Sequence, residues 1–279
     1  MPGSFFAEVL KLRKRPAVLS LGGLWLAIVV VFLYLFPALT FAALAPTEPI
    51  EAGVVEEQLS TLTPGNLPLY LLLFLFPGLG TAMALILGAL AAGSEYGWGT
   101  LRIILSQRTD RLGVLAGKLL ALCVLLLLFV LAAFLAGALS SLAVALFSGL
   151  SPAPPPAAEL LQGLGAGLLI LALWATLGFA FATFVKGTTL AVGLGLIYAF
   201  VVEQVFKGFS TLSESLRTVV ELLPGVNTAA LSQAFVDPAG NPALEEGLIN
   251  PARAVLVILL YTAAFVLITA LVFRRRDVT

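Results

Sequence analysis

The sequence predicts an all-α polytopic membrane protein, with six transmembrane helices and both termini on the inner side. Composition comes first: of 279 residues, 60% are hydrophobic and only 11% charged, against about 45–50% apolar in soluble domains. Mean hydropathy is +1.09. Apolar segments near or above the roughly 20 residues needed to cross a hydrocarbon core then recur along the chain. Basic residues supply the orientation. With six spans, 12 of the 15 Lys and Arg fall on the side of the termini, and Lys207, Arg217 and Arg253 fall outside, as the positive-inside rule requires.

The first element is an N-terminal helix over residues 4–15, "SFFAEVLKLRKR". Phe5, Phe6, Val9, Leu10 and Leu12 form a broad apolar face, with Glu8, Lys11 and Lys14 opposite. That pattern fits an amphipathic helix lying in the inner interface and stopped by Pro16. A purely topogenic basic flank would account for the charges but not for the phenylalanines. The apolar run that follows is far longer than the 7–15 residues of a signal-peptide core, so it reads as a retained first span.

Spans are expected at about 18–44, 67–92, 113–147, 160–185, 189–206 and 253–273, all within one transmembrane domain over 1–279. Pro37 and Pro77 should kink the first and second. Gly80, Ala84, Gly88 and Ala92 recur every four residues in span 2, and Gly163 and Gly167 repeat the spacing in span 4. Such ladders let helices approach closely, either inside the chain or at a dimer seam. Residues 207–252 carry a T-x-x-E capping box at Thr211 and Glu214. Pro224-Gly225 is a stop, Asn227 a candidate cap for a second short helix, and Asn250-Pro251 a start signal for span 6. Two short outer helices follow from this, serving either as a lid or as a cover.

Several chemistries are excluded. There is no histidine and a single cysteine, Cys123, so an internal disulfide and His/Cys metal sites drop out. Asp110, Asp237 and Asp277 all lie outside the spans, which removes an aspartyl pair. No P-loop motif occurs, so the chain is not expected to be an enzyme or to bind ATP that way. Fifteen basic and fifteen acidic residues give no argument for nucleic acid. Glu203 is the one acid that falls within an expected span. It sits either in the outer headgroup region or on a substrate pathway, since buried intramembrane carboxylates are costly and usually functional.

The most charged connection is residues 91–120, "AAGSEYGWGTLRIILSQRTDRLGVLAGKLL". Trp98, Leu101 and Leu105 fall on one helical side, while Glu95, Arg102 and Ser106 share another. Topogenic anchoring accounts for Arg108, Arg111 and Lys118, but not for Glu95, Trp98 or the glycine pair Gly97 and Gly99. Composition and spacing lead only to a charged docking surface.

This stretch resembles the membrane subunit of type-2 ATP-binding cassette (ABC) transporters, in which E-x-x-x-G-T, an apolar run and G-K-L lead into span 3. The segments "EVLKLRKRP", "LLPGVN" and "FRRRDV" are also similar to that family's. The resemblance implies a permease without its own ATPase, paired with a second copy or a paralogue and with two cytosolic ABC ATPase subunits, which would bind the ATP and Mg. Under it, residues 93–109 form a coupling helix containing Glu95, Gly99, Thr100 and Arg102. The N-terminal helix with Lys11 and Arg13 then makes the second ATPase contact. Few polar side chains lie in the spans (Thr81, Ser140, Ser141, Gln162, Thr176, Thr183, Tyr198), which favours export of an apolar or amphipathic cargo such as a drug, peptide antibiotic or lipid across the cell membrane. The rivals are a membrane sensor or immunity scaffold, and a secondary transporter or channel driven by an ion gradient.

Overall fold

A computed structural model describes residues 2–43, 49–97, 111–209, 214–235 and 249–275. Among them there is no strand, and six helices are long and apolar enough to cross a membrane. They are span 1 (Pro16–Ala43), span 2 (Phe76–Ser94), span 3 (Arg111–Ser148), span 4 (Ala157–Val185), span 5 (Thr188–Phe209) and span 6 (Pro251–Arg274). Shorter helices are α1 (Pro2–Lys14), α2 (Pro49–Thr61), α3 (Leu67–Phe74), α4 (Glu214–Val220) and α5 (Pro224–Gln233).

Successive spans alternate direction. Arg15, at the start of span 1, bonds the end of span 2, and Glu8 of α1 bonds the start of span 3. Span 4 turns into span 5 at Lys186-Gly187, beside Gly93 of span 2. This is the α1 end of the bundle. At the far end, Glu203 in span 5 meets Gly225 of α5, and Arg253 of span 6 pairs with Glu221.

Spans 2 and 4 form the centre. In each, 67% of the apolar window is buried, against 17% in span 6. Their seam depends on missing side chains. A Cβ at Gly88 would overlap the Ala175 carbonyl oxygen, and one at Gly178 would overlap the Leu85 carbonyl oxygen. Backbone on backbone leaves nothing that could yield. The ladder residues are therefore spent inside the chain: Gly80 faces Leu171, Gly163 faces Pro68 and Phe134, and Gly167 faces the Phe76 ring. Ala84 and Ala92 are buried as well.

The two expected proline distortions have separate solutions. Before Pro77 the helix breaks at Leu75, and a π-helical turn over Phe76–Gly80 restarts it, with Gly80 N–H donating to Leu75 O at 2.8 Å. The apolar run read as one span from residue 67 is thus α3 plus span 2. In span 1, Pro37 has no N–H to offer the Leu33 carbonyl four residues back. The Tyr70 hydroxyl donates there instead, at 2.7 Å. Trp25 Nε1 likewise donates to Phe129 O at 2.9 Å, which binds span 1 to span 3.

Candidate functional site

Helix α1 does not lie free on the bundle. Ser4 seats against Gly117, where a Cβ would come within 2.8 Å of the Ser4 Cβ. One turn on, Glu8 Oε1 accepts a hydrogen bond from Lys118 Nζ at 2.9 Å, and the Lys118 side chain is only 1% exposed. Lys11 shares the same carboxylate at 3.2 Å. Leu12 is buried, whereas Phe6 and Leu10 are exposed.

This corrects the amphipathic reading in one respect. Glu8 turns inward rather than to water, because span 3 offers it a buried ammonium. No signal in the local sequence distinguishes Lys118 from its topogenic neighbours, since its partner lies 110 residues away. A charge pair in such surroundings is tolerated only when both members find hydrogen bonds.

Arg15 makes the second tie. It sits between α1 and span 1 in extended conformation and is itself buried. Its guanidinium donates to Leu90 O at 2.9 Å and to Ser94 Oγ at 2.6 Å. Ser94 Oγ donates in turn to Leu90 O at 2.9 Å. The final turn of span 2 and the first turns of span 3 are thus held by one short helix and the residue after it. These are the two helix ends that bracket residues 98–110.

The sequence-predicted coupling residues fall around this platform. Glu95 lies in the last turn of the helix Thr81–Gly97. Gly99, Thr100 and Arg102 lie outside the described residues, as do Thr109 and Asp110. Lys11 is occupied with Glu8, while Arg13 is exposed on the opposite flank of α1.

The far end holds a separate cluster. Glu203 is 1% exposed, and its Oε1 accepts the Gly225 N–H at 3.0 Å. Gly225 is the second residue of α5, so the carboxylate meets the positive end of a helix dipole. A Cβ at Gly225 would overlap Oε2, so a larger residue there would displace the carboxylate. Tyr198, Lys207 and Tyr261 surround the same carboxylate. Glu203 thus anchors α5 to span 5, and it does not line the far-end cavity.

That cavity measures about 800 Å³ and lies between α3, span 4, α5 and span 6. Asn66, Glu159 and Gln162 give it polar groups, and Leu231, Phe235 and Val255 give it apolar wall. Helix α5 forms one side of it, with Asn227, Thr228 and Ser232 buried behind. Asn227 does not cap the helix as expected. Pro224 already opens α5, and Asn227 Nδ2 donates backward to Glu221 O and Leu223 O, both at 2.9 Å. Asn250 does cap span 6, accepting Ala252 N–H at 2.9 Å.

Over residues 26–279 the chain matches the family described as a protein of unknown function (DUF2705). The chain belongs to this family. The match covers most of the helical bundle and the far-end cluster but begins after α1 and Arg15, and the DUF2705 description carries no activity. No curated protein matches the chain.

Proposed function

We propose that this DUF2705 protein is the permease subunit of an ABC transporter in the cell membrane, exporting an apolar or amphipathic substrate. Power comes from separate cytosolic ATPase subunits that bind ATP and Mg, and a second permease, copy or paralogue, completes the path. One observation carries the reading: the family-like stretch 91–120 joins two helix ends that α1 clamps through Glu8–Lys118 and Arg15–Ser94.

A partner that pushes on the proposed coupling segment, residues 93–109, would move span 2, span 3 and α1 together. Such an arrangement suits force transmission better than a free loop does. Glu95, Gly99, Thr100 and Arg102 are the proposed contacts on that segment, and Lys11 and Arg13 lie on the second contact, α1.

The spans support an apolar cargo. The hydroxyls of Thr81, Ser141, Thr176 and Thr183 donate to carbonyls of their own helices, so they offer no polar track. The far-end cavity, walled by α5, is the proposed exit vestibule, with the Glu203–Gly225 bond holding its lid.

The test is flux in reconstituted vesicles with the partner ATPase. ATP-dependent export that vanadate blocks, and that reversing the charge of Glu95 or Arg102 uncouples, supports the proposal. Flux stopped by collapse of a proton or sodium gradient and untouched by vanadate overturns it in favour of a secondary transporter. Ligand binding without flux would point to a sensor or immunity scaffold.

A further inference from the structure

A second cavity, about 470 Å³, runs between α1 and span 1 on one side and span 3 on the other. Its walls are apolar, with Leu19, Trp25, Leu125 and Leu128 among them, and among the described residues Arg13 is the one charged residue lining it. Along span 3 it extends from Ala121 to Ala132, about 16 Å at the helical rise. That is close to half of a roughly 30 Å hydrocarbon core, the depth of one leaflet.

The floor contains Gly22 and Gly23. Some helical glycines in this chain are demanded by close packing. At Gly88 and Gly178 another backbone occupies the place of the side chain. At Gly23 a Cβ would meet nothing within 4 Å, and at Gly22 only the Phe129 ring at 3.8 Å. The chain's own packing does not require these two glycines. They widen the channel between α1, span 1 and span 3.

The mouth of the channel is cationic. Arg13 and Lys14 are both exposed, and among the described residues neither forms an ion pair, whereas Lys11 is engaged with Glu8. A guanidinium at the end of an apolar slot one leaflet deep matches a phosphate with an acyl chain beneath it.

We infer that this groove is a binding site for an anionic phospholipid of the leaflet on the α1 side, one acyl chain lying along Gly22-Gly23 and the phosphate resting on Arg13. A seated lipid would then fill the wedge between α1, span 1 and span 3. The inference claims Arg13, which the transport reading gives to the ATPase contact, for the lipid headgroup, and its test reads the lipid with no ATPase present.

The test uses the full chain in phosphatidylcholine vesicles containing brominated lipid. Trp98→Phe and Trp174→Phe leave Trp25 as the only one of the 3 tryptophans, reporting from the groove wall. Brominated phosphatidylglycerol should quench Trp25 more than brominated phosphatidylcholine at equal mole fraction. Arg13→Gln should reduce that preference about fivefold, the weight of one basic side chain at an anionic surface. Gly23→Leu, at a position where a Cβ meets nothing within 4 Å, should lower quenching by both lipids.

Equal quenching by the two lipids, or a preference unchanged by both variants, overturns the inference. So does low quenching by both lipids that rises when the protein is diluted to a monomer, because a second copy would then occupy the groove. Where the tryptophan background does not fold, native mass spectrometry of the otherwise unaltered chain replaces it. The native chain should retain phosphatidylglycerol that Gly23→Leu loses, and equal retention by the two counts against the site.

Discussion

Glu8 and Lys118 meet at 2.9 Å across the junction of α1 and span 3, with the lysine side chain 1% exposed. Everything at that end of the bundle depends on this pair and on Arg15. Removing one member should be worse than removing both. Lys118→Met leaves a poorly hydrated carboxylate and should cost about 3 kcal/mol, less whatever Lys11 recovers. Combining it with Glu8→Gln should restore much of the loss. Trypsin provides the measurement, because release of α1 lets the helical backbone at Lys11, Arg13 and Lys14 unfold into the protease. Cleavage there should be fast in the single variant and slow in the double.

The span 2 and span 4 seam makes a sharper prediction. Gly88→Ala places a methyl on the Ala175 carbonyl oxygen, and neither helix can give way without opening the other contacts. Expression of folded, monodisperse protein should be lost. Gly23→Ala, with open space around it, should express normally. Size-exclusion profiles of the two in mild detergent compare them directly.

At the far end, Glu203→Gln keeps an oxygen able to accept the Gly225 N–H, so α5 should stay docked. Glu203→Ala leaves that N–H without its acceptor and should cost about 1–3 kcal/mol, concentrated at α5. Hydrogen exchange over residues 224–233 should accelerate in the alanine variant and stay near native in the glutamine one. Equal protection in all three would mean the carboxylate does not hold the helix.

Tyr70→Phe removes the hydroxyl that donates to the Leu33 carbonyl, just before Pro37. The expected cost is about 1 kcal/mol. Replacing Pro37 with alanine as well should reduce that penalty, since the alanine N–H can take the same carbonyl. A double-mutant thermal series reads this coupling.

Much of the bundle was legible because membrane helices announce themselves through length and hydropathy. All six spans lie within a few residues of the expected ranges, apart from the break at Leu75. There the sequence carried the proline but not the length of the disruption. Asn250 was readable as a cap because capping is local. Lys118 and Arg15 were not, because a long basic side chain looks the same whether it meets water or a buried partner far along the chain. Glu203 was recognisable as an unusual carboxylate, yet its partner, a backbone N–H 22 residues on, has no side-chain signature. The small-residue ladder showed that a close contact exists, and only the packed helices show that span 4 is the partner.

The permease reading is tested most directly by a pull-down of the tagged full-length chain in gentle detergent, with partners identified by mass spectrometry. The account predicts stoichiometric recovery of a cytosolic ATPase bearing a P-loop, weakened when Glu95 or Arg102 is reversed in charge and when Lys118→Met releases α1. Recovery of the intact membrane protein with no such ATPase, under conditions that preserve other membrane complexes, would contradict it.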